Sequence, residues 1–179
     1  AYLYAYKGFV AIRAYKQRLS KGELYPPFMF IALTNTCNLR CKGCWVEKEG
    51  PAHHLPDTDI DAMIESGKRV KAHYYTLLGG EPLMHRGIWS IFERHSDCYF
   101  QIITNGMLFT EENVRRLRAA GNVTPLISVD GWSLNNDERR GAGVFSAVDE
   151  GLARLKKSRL LFGIATTATA KNLDEVMSD

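Results

Sequence analysis

The stretch Phe28-Met29-Phe30-Ile31-Ala32-Leu33-Thr34-Asn35-Thr36-Cys37-Asn38-Leu39-Arg40-Cys41-Lys42-Gly43-Cys44-Trp45 starts as an apolar run and ends on three cysteines within eight residues. Its first part, Phe28–Leu33, has the length of a strand and lacks strict alternation, as expected where both faces are buried. Its second part is polar and follows without a break. A strand that runs straight into chemically active residues is the pattern of a parallel α/β fold, where ligands sit beyond the carboxyl ends of the strands.

Four more apolar runs follow: Tyr74–Leu78, Tyr99–Thr104, Thr124–Val129 and Leu160–Thr167. Helical stretches separate them. Ile60, Met63, Ile64, Gly67 and Val70 keep a 3.6-residue period behind an expected cap at Asp57. Thr110 opens a helix that ends before Gly121, and Phe145, Val148, Leu152 and Leu155 mark another face. Asn172 with Glu175 three residues on reads as an N-cap and its N3 partner. Strands alternating with helices predict βαβ units, roughly five of them, with the last cut short.

Ahead of Pro26-Pro27 lies an aromatic and then basic segment, Ala1 to Gly22, that reads as a helix with Arg13, Lys16, Arg18 and Lys21 toward its end. Such a helix can lie on a membrane surface. Capping the bottom of the domain is the plainer role, because cations near a helix C-terminus are ordinary. Residues 1–27 are therefore expected to be an N-terminal helix and lead-in, and 28–179 the core domain. The chain starts at Ala1 and stops at Asp179 inside a starting helix, so a longer protein is expected.

Composition bounds the function. The 179 residues are 45% hydrophobic and 24% charged, ordinary for a globular chain. A net charge of +3 without a dense basic stripe gives no reason to expect nucleic acid. No apolar run reaches the roughly 18 residues of a membrane span. Three clustered cysteines suit a metal better than a disulfide framework, which points to a reducing, cytoplasmic setting.

Polar or glycine-rich residues follow each strand: the cysteine loop, then Gly79-Gly80-Glu81-Pro82, Thr104-Asn105-Gly106 and Ser128-Val129-Asp130-Gly131. Their gathering at one sheet end argues for a site. A short loop with three thiolates suits an iron–sulfur cluster, zinc or Cu(I). Structural zinc wants a fourth ligand, which would come from His53, His54 or the remote Cys98. The bland readings are a solvated loop for the histidines, core for Cys98, and packing for Tyr74 and Tyr75.

Cys37-x3-Cys41-x2-Cys44 followed by Gly79-Gly80-Glu81-Pro82 resembles the radical S-adenosylmethionine (radical SAM) superfamily, from about Phe28 to the chain's end. The resemblance implies a partial (β/α)6, TIM-like barrel, here truncated near its fifth strand and preceded by the N-terminal helix. It implies that Cys37, Cys41 and Cys44 ligate a [4Fe–4S] cluster whose remaining iron is chelated by S-adenosyl-L-methionine (SAM). Gly79, Gly80 and Glu81 would meet the SAM amino group, Ser128 the ribose and Arg140 the carboxylate, with Arg139 as an alternative. Gly43 and Trp45 would flank the adenine. Asn105 would contact SAM or substrate, or simply form a turn.

The implied activity is reductive cleavage of SAM to a 5′-deoxyadenosyl radical that abstracts hydrogen, with the cluster as the catalytic group. An external low-potential donor such as flavodoxin or ferredoxin would feed it. The wording of the motifs resembles members that carry a C-terminal auxiliary cluster (SPASM-like) domain and act on peptides or natural-product precursors. The alternative from another class is a zinc module built on Cys37, Cys41, Cys44 and a histidine, for which the Gly-Gly-Glu-Pro loop has no use.

Overall fold

Five parallel strands pair in strict chain order, β1 (Phe28–Thr34), β2 (Tyr74–Gly79), β3 (Tyr99–Thr104), β4 (Val123–Ser128) and β5 (Gly163–Ala165). The computed structural model describes residues 3–46 and 50–178. Crossovers between parallel strands are right-handed. Strands added always on the same side therefore put all their helices on one face and leave the other face bare. An order that reversed would have put helices on both faces. The arrangement is a barrel wall, open between the edge strands β1 and β5.

The helices are α1 (Gly8–Leu19), α2 (Asp57–Arg69), α3 (Ile88–Arg94), α4 (Glu111–Ala120), α5 (Ser133–Arg140), α6 (Val144–Lys157) and α7 (Leu173–Met177). One side of the sheet supplies Ile31, Leu33, Tyr75, Leu77, Phe100, Ile102 and Ile127 to the core. The helices answer with Ile60, Ile64, Ile88, Ile91, Phe92, Val114, Leu117, Val148 and Leu155. Tyr75 is wholly buried and Tyr74 stacks on Tyr99, so both tyrosines pack, as expected.

The opposite side of the sheet departs from the expectation of strands buried on both faces. Register aligns Phe30, Thr76, Gln101 and Thr124 in one row on the concave side, and Phe28 and Phe30 are exposed there. The exposure is confined to the edge strand: Thr76 in the same row is buried, and Gln101 and Thr124 are half-buried.

Several local expectations are corrected. The fifth strand is three residues, not the eight of Leu160–Thr167: only Gly163, Ile164 and Ala165 find partners on β4. Pro56 is the N-cap residue of α2, and Asp57 sits inside its first turn, where a carboxylate still suits the helix dipole. Asn172 is the N-cap residue of α7, as expected, but neither its side chain nor that of Glu175 makes a capping bond. Asn172 spends its amide on the Asp130 and Thr167 carbonyls, and Glu175 accepts from the Trp132 N–H at 2.9 Å. α3 and α5 carry no long apolar stripe, and periodicity did not announce them.

Two other helix ends behave as expected. Thr110 accepts from the Asn113 N–H at 3.2 Å, and Gly121 ends α4 in the left-handed conformation. At the N-terminus a π-helical turn, Leu3–Lys7, leads into α1, and Gly22 turns the chain with φ +77°. The expected helix start at Ala1 and the chain end at Asp179 lie outside the described residues.

Candidate active site

The cysteine loop is held by the glycines that follow β2. Register slips between Ala32 and Thr34, which pairs Thr34 with Gly79. The Gly80 N–H then donates to the Thr34 carbonyl at 2.6 Å and the Glu81 N–H to the Thr36 carbonyl at 2.8 Å. A Cβ on Gly79 would lie 2.3 Å from the Thr34 oxygen, and one on Gly80 would lie 2.2 Å from the Thr36 oxygen. Gly79 also has φ +135°. Only glycine permits two backbones to approach so closely. From the other flank, Asn35 and Thr34 bond the His53 carbonyl, and the Lys42 N–H donates to the Arg139 carbonyl at 2.8 Å.

Glu81 is fully buried. Its carboxylate accepts from the Leu83 N–H (3.1 Å), the Thr104 hydroxyl (2.8 Å) and the Asn105 N–H (2.8 Å). Burial pushes the Glu81 carboxyl above its ordinary range, against three donors that favour the charged form. Asn105, fixed this way, donates its side-chain amide to Asn38 Oδ1 at 2.8 Å and to Cys37 Sγ at 3.6 Å. The Leu39 N–H donates to the same sulfur at 3.4 Å.

A cavity of about 270 Å3 opens at the carboxyl ends of the strands. It is lined by Cys37, Cys41, Cys44, Trp45, Gly79, Gly80, Asn105, Ser128 and Arg140, all expected from the sequence. Glu81 stays behind this lining. Gly43 lines a neighbouring pocket of about 480 Å3 that shares Arg139 and Thr167 with the first.

Among the described residues, the charged groups that line the smaller cavity are Arg139 and Arg140. Both are anchored by Asp130, whose Oδ2 accepts from Arg139 Nη1 (2.5 Å) and Arg140 Nε (2.7 Å). Asp130 Oδ1 takes the Thr167 N–H at 2.9 Å. Burial works to raise the Asp130 pKa, but the Thr167 N–H and the two guanidiniums outweigh it and hold the carboxyl below its ordinary value. The Arg140 terminal nitrogens are uncommitted among the described residues.

Sequence reasoning placed Asp130, Asn38, Thr104 and Thr167 at or just after strand ends but gave them no role in the site. Only the fold brings their strand ends together. His53 and His54 are exposed loop residues, and His54 pairs across to Thr34 in an isolated antiparallel bridge. Cys98 is buried, and burial pushes its thiol up to about 12.

The donor set was tested against a single metal ion. Among the described residues, the one group of three metal-capable side chains with ligand atoms all within 4.8 Å of one another is His73, Asp97 and Cys98. There Asp97 is already paired with Lys68 at 2.7 Å. Three soft thiolates lining one cavity, beside glycine backbone and two guanidiniums, fit a polynuclear cluster with an amino-acid-bearing ligand.

A sheet of this order forms a barrel wall, and three thiolates gather at its carboxyl edge. The family model of the Radical SAM superfamily matches residues 31–172, and the chain belongs to that superfamily. Members of the superfamily bind a [4Fe–4S] cluster and SAM.

The AdoMet-dependent heme synthase of Methanosarcina barkeri is 33% identical over 150 residues, covering 80% of this chain and 43% of that protein. Sporulation killing factor maturation protein SkfB of Bacillus subtilis is 28% identical over 152 residues, covering 82% and 37%. Among solved structures, SuiB of Streptococcus suis bound to S-adenosylmethionine superposes with a TM-score of 0.76 at 20% identity, covering 92% of this chain and 40% of that one. The chain spans about two fifths of the length of these relatives.

Proposed function

We propose that this chain is the SAM-cleaving core of a radical SAM enzyme acting on a peptide or natural-product precursor. The observation that carries the reading is the convergence of Cys37, Cys41, Cys44, Gly79, Gly80 and Arg140 on one cavity of a chain in this superfamily. When bound, the cluster supplies a low-potential electron, and SAM supplies a 5′-deoxyadenosyl radical for hydrogen abstraction.

The chain's own residues bind and orient. Cys37, Cys41 and Cys44 each hold one iron. Backbone carbonyls at Gly79 and Gly80 accept from the SAM ammonium, while the Glu81 carboxylate braces the Asn105 turn that borders the site. Arg140 presents its terminal nitrogens to the SAM carboxylate, with Arg139 beside it. Ser128 takes a ribose hydroxyl, and Trp45 and Gly43 border the adenine. A flavodoxin or ferredoxin delivers the electron in a reducing, cytoplasmic setting. Residues 28–179 act as the core domain behind the 1–27 lead-in.

The peptide assignment draws support from SkfB, a maturation protein, and from SuiB, solved bound to precursor peptide SuiA. The zinc module is disfavoured by the superfamily match and by the Gly-Gly-Glu-Pro loop, for which it has no use.

The test is anaerobic reconstitution with iron and sulfide, reduction with dithionite and chromatography for 5′-deoxyadenosine. Product formation that disappears in Cys41→Ala is the expected result. A cluster-loaded chain that leaves SAM intact would overturn the reading.

A further inference from the structure

The basic residues of this chain are unevenly placed. Five of its 23 basic residues and none of its 20 acidic ones precede Glu23. Elsewhere 18 basic residues face 20 acidic ones, so a cationic helix is joined to a slightly anionic body. α1 also turns its apolar residues the wrong way for an ordinary surface helix. Phe9, Ile12 and Leu19 share one stripe at helical spacing and are 64%, 53% and 46% exposed, with Tyr6 near them at 52%. Ala11 is the buried residue of the helix.

On the inner side, the Arg18 guanidinium ties α1 to the Val70 carbonyl at the end of α2. Arg69 and Lys71, its neighbours in sequence, are exposed. Burial lowers the pKa of nearby His73, and Lys7 lowers it further, against Asp97, which raises it.

We propose that the outer face of α1 docks on an anionic bilayer surface, with Phe9, Ile12 and Leu19 inserted at headgroup depth and Arg13, Lys16 and Lys21 paired with lipid phosphates or carboxylates. The combination decides the occupant. Apolar side chains alone would suit another protein, and cations alone would suit any polyanion. Phe and Leu on one stripe rimmed by Lys and Arg suit an acyl–headgroup boundary. A second copy of the chain is disfavoured, because a two-fold contact through α1 would set cations against cations. No described helix is long and apolar enough to cross a membrane, so the contact is peripheral.

The test is co-sedimentation of the whole chain with phosphatidylcholine vesicles and with vesicles that also contain phosphatidylglycerol. Binding should require the anionic lipid and weaken as salt rises. Each cation near such a surface carries enough attraction that Arg13→Glu with Lys16→Glu should weaken binding by at least about thirty-fold. Both positions are exposed, and circular dichroism checks that the fold survives. Phe9→Trp should show a blue-shifted emission with anionic vesicles only.

Equal binding to neutral vesicles, no binding to either, or unchanged binding by the charge-reversed variant would overturn the proposal. So would a stable dimer, or capture of an acidic peptide, that buries the Phe9→Trp probe. Because α1 lies apart from the cysteine cavity, SAM cleavage and vesicle binding can fail independently.

Discussion

Asn105 donates its side-chain amide to the sulfur of Cys37 at 3.6 Å, while its own N–H is held by the Glu81 carboxylate at 2.8 Å. A residue from the β3 end therefore touches a proposed cluster ligand from the β1 loop, and a buried carboxylate from the β2 end sets its orientation. Hydrogen bonds to cluster sulfurs set the reduction potential. Removing one N–H···S bond concentrates charge on the sulfur and makes reduction harder. A net hydrogen bond of about 0.5–1.5 kcal/mol corresponds to about 20–60 mV for one electron. Asn105→Leu should move the cluster potential negative by this amount in a redox titration, with its iron content kept. A potential that stays put would show that the bond does not reach the cluster.

Gly79 and Gly80 serve the loop as much as any ligand. Alanine at either position drives a Cβ into the Thr34 or Thr36 carbonyl at 2.2–2.3 Å, a backbone obstacle that cannot rotate away. Each substitution should cost about 2–3 kcal/mol in urea unfolding, with Gly79→Ala the worse because of its positive φ. Iron bound per chain should fall alongside. Full iron retention with unchanged stability would mean that the loop is not seated by these contacts.

Asp130 is the joint between β4, α5 and the segment after β5. Its folded pKa lies below the ordinary 3.8, so its ionised form stabilises the fold. That contribution is complete above about pH 5, and it is lost as pH falls through 3.8 toward the folded value. Asp130→Asn should destabilise the chain by about 3 kcal/mol at neutral pH, and the difference from the parent should shrink as pH falls below 4. A gap that stayed constant down to pH 3 would contradict the linkage.

The fourth cysteine separates ligand from core. Cys98→Ala removes one buried sulfur, should cost about 1–2 kcal/mol, and should leave iron and sulfide content unchanged after reconstitution. Cys37→Ala, Cys41→Ala and Cys44→Ala should each lose the cluster. Equal loss in all four would point to general unfolding.

The parallel strands were legible because five apolar runs alternate with helical periods, their order only through the resemblance to the superfamily, and the active residues because each follows a run directly. What escaped was of two kinds. α3 and α5 are short, and α5 is polar almost throughout, so no periodic stripe marks it. The roles of Asp130, Asn38 and Thr104 escaped because partners lie far off in the chain, at Thr167, Asn105 and Glu81. Those contacts exist only once β1 to β5 stand side by side. The glycines after β2 were expected to admit a ligand; the structure adds that they admit the Thr34–Thr36 backbone.

The most direct measurement is the EPR spectrum of the reconstituted, reduced chain before and after adding SAM. If three sulfurs leave one iron open for an amino-acid chelate, the reduced-cluster signal must change on SAM addition, and the change must require Cys37, Cys41 and Cys44. A signal indifferent to SAM, or a colourless chain holding one zinc, would contradict the account.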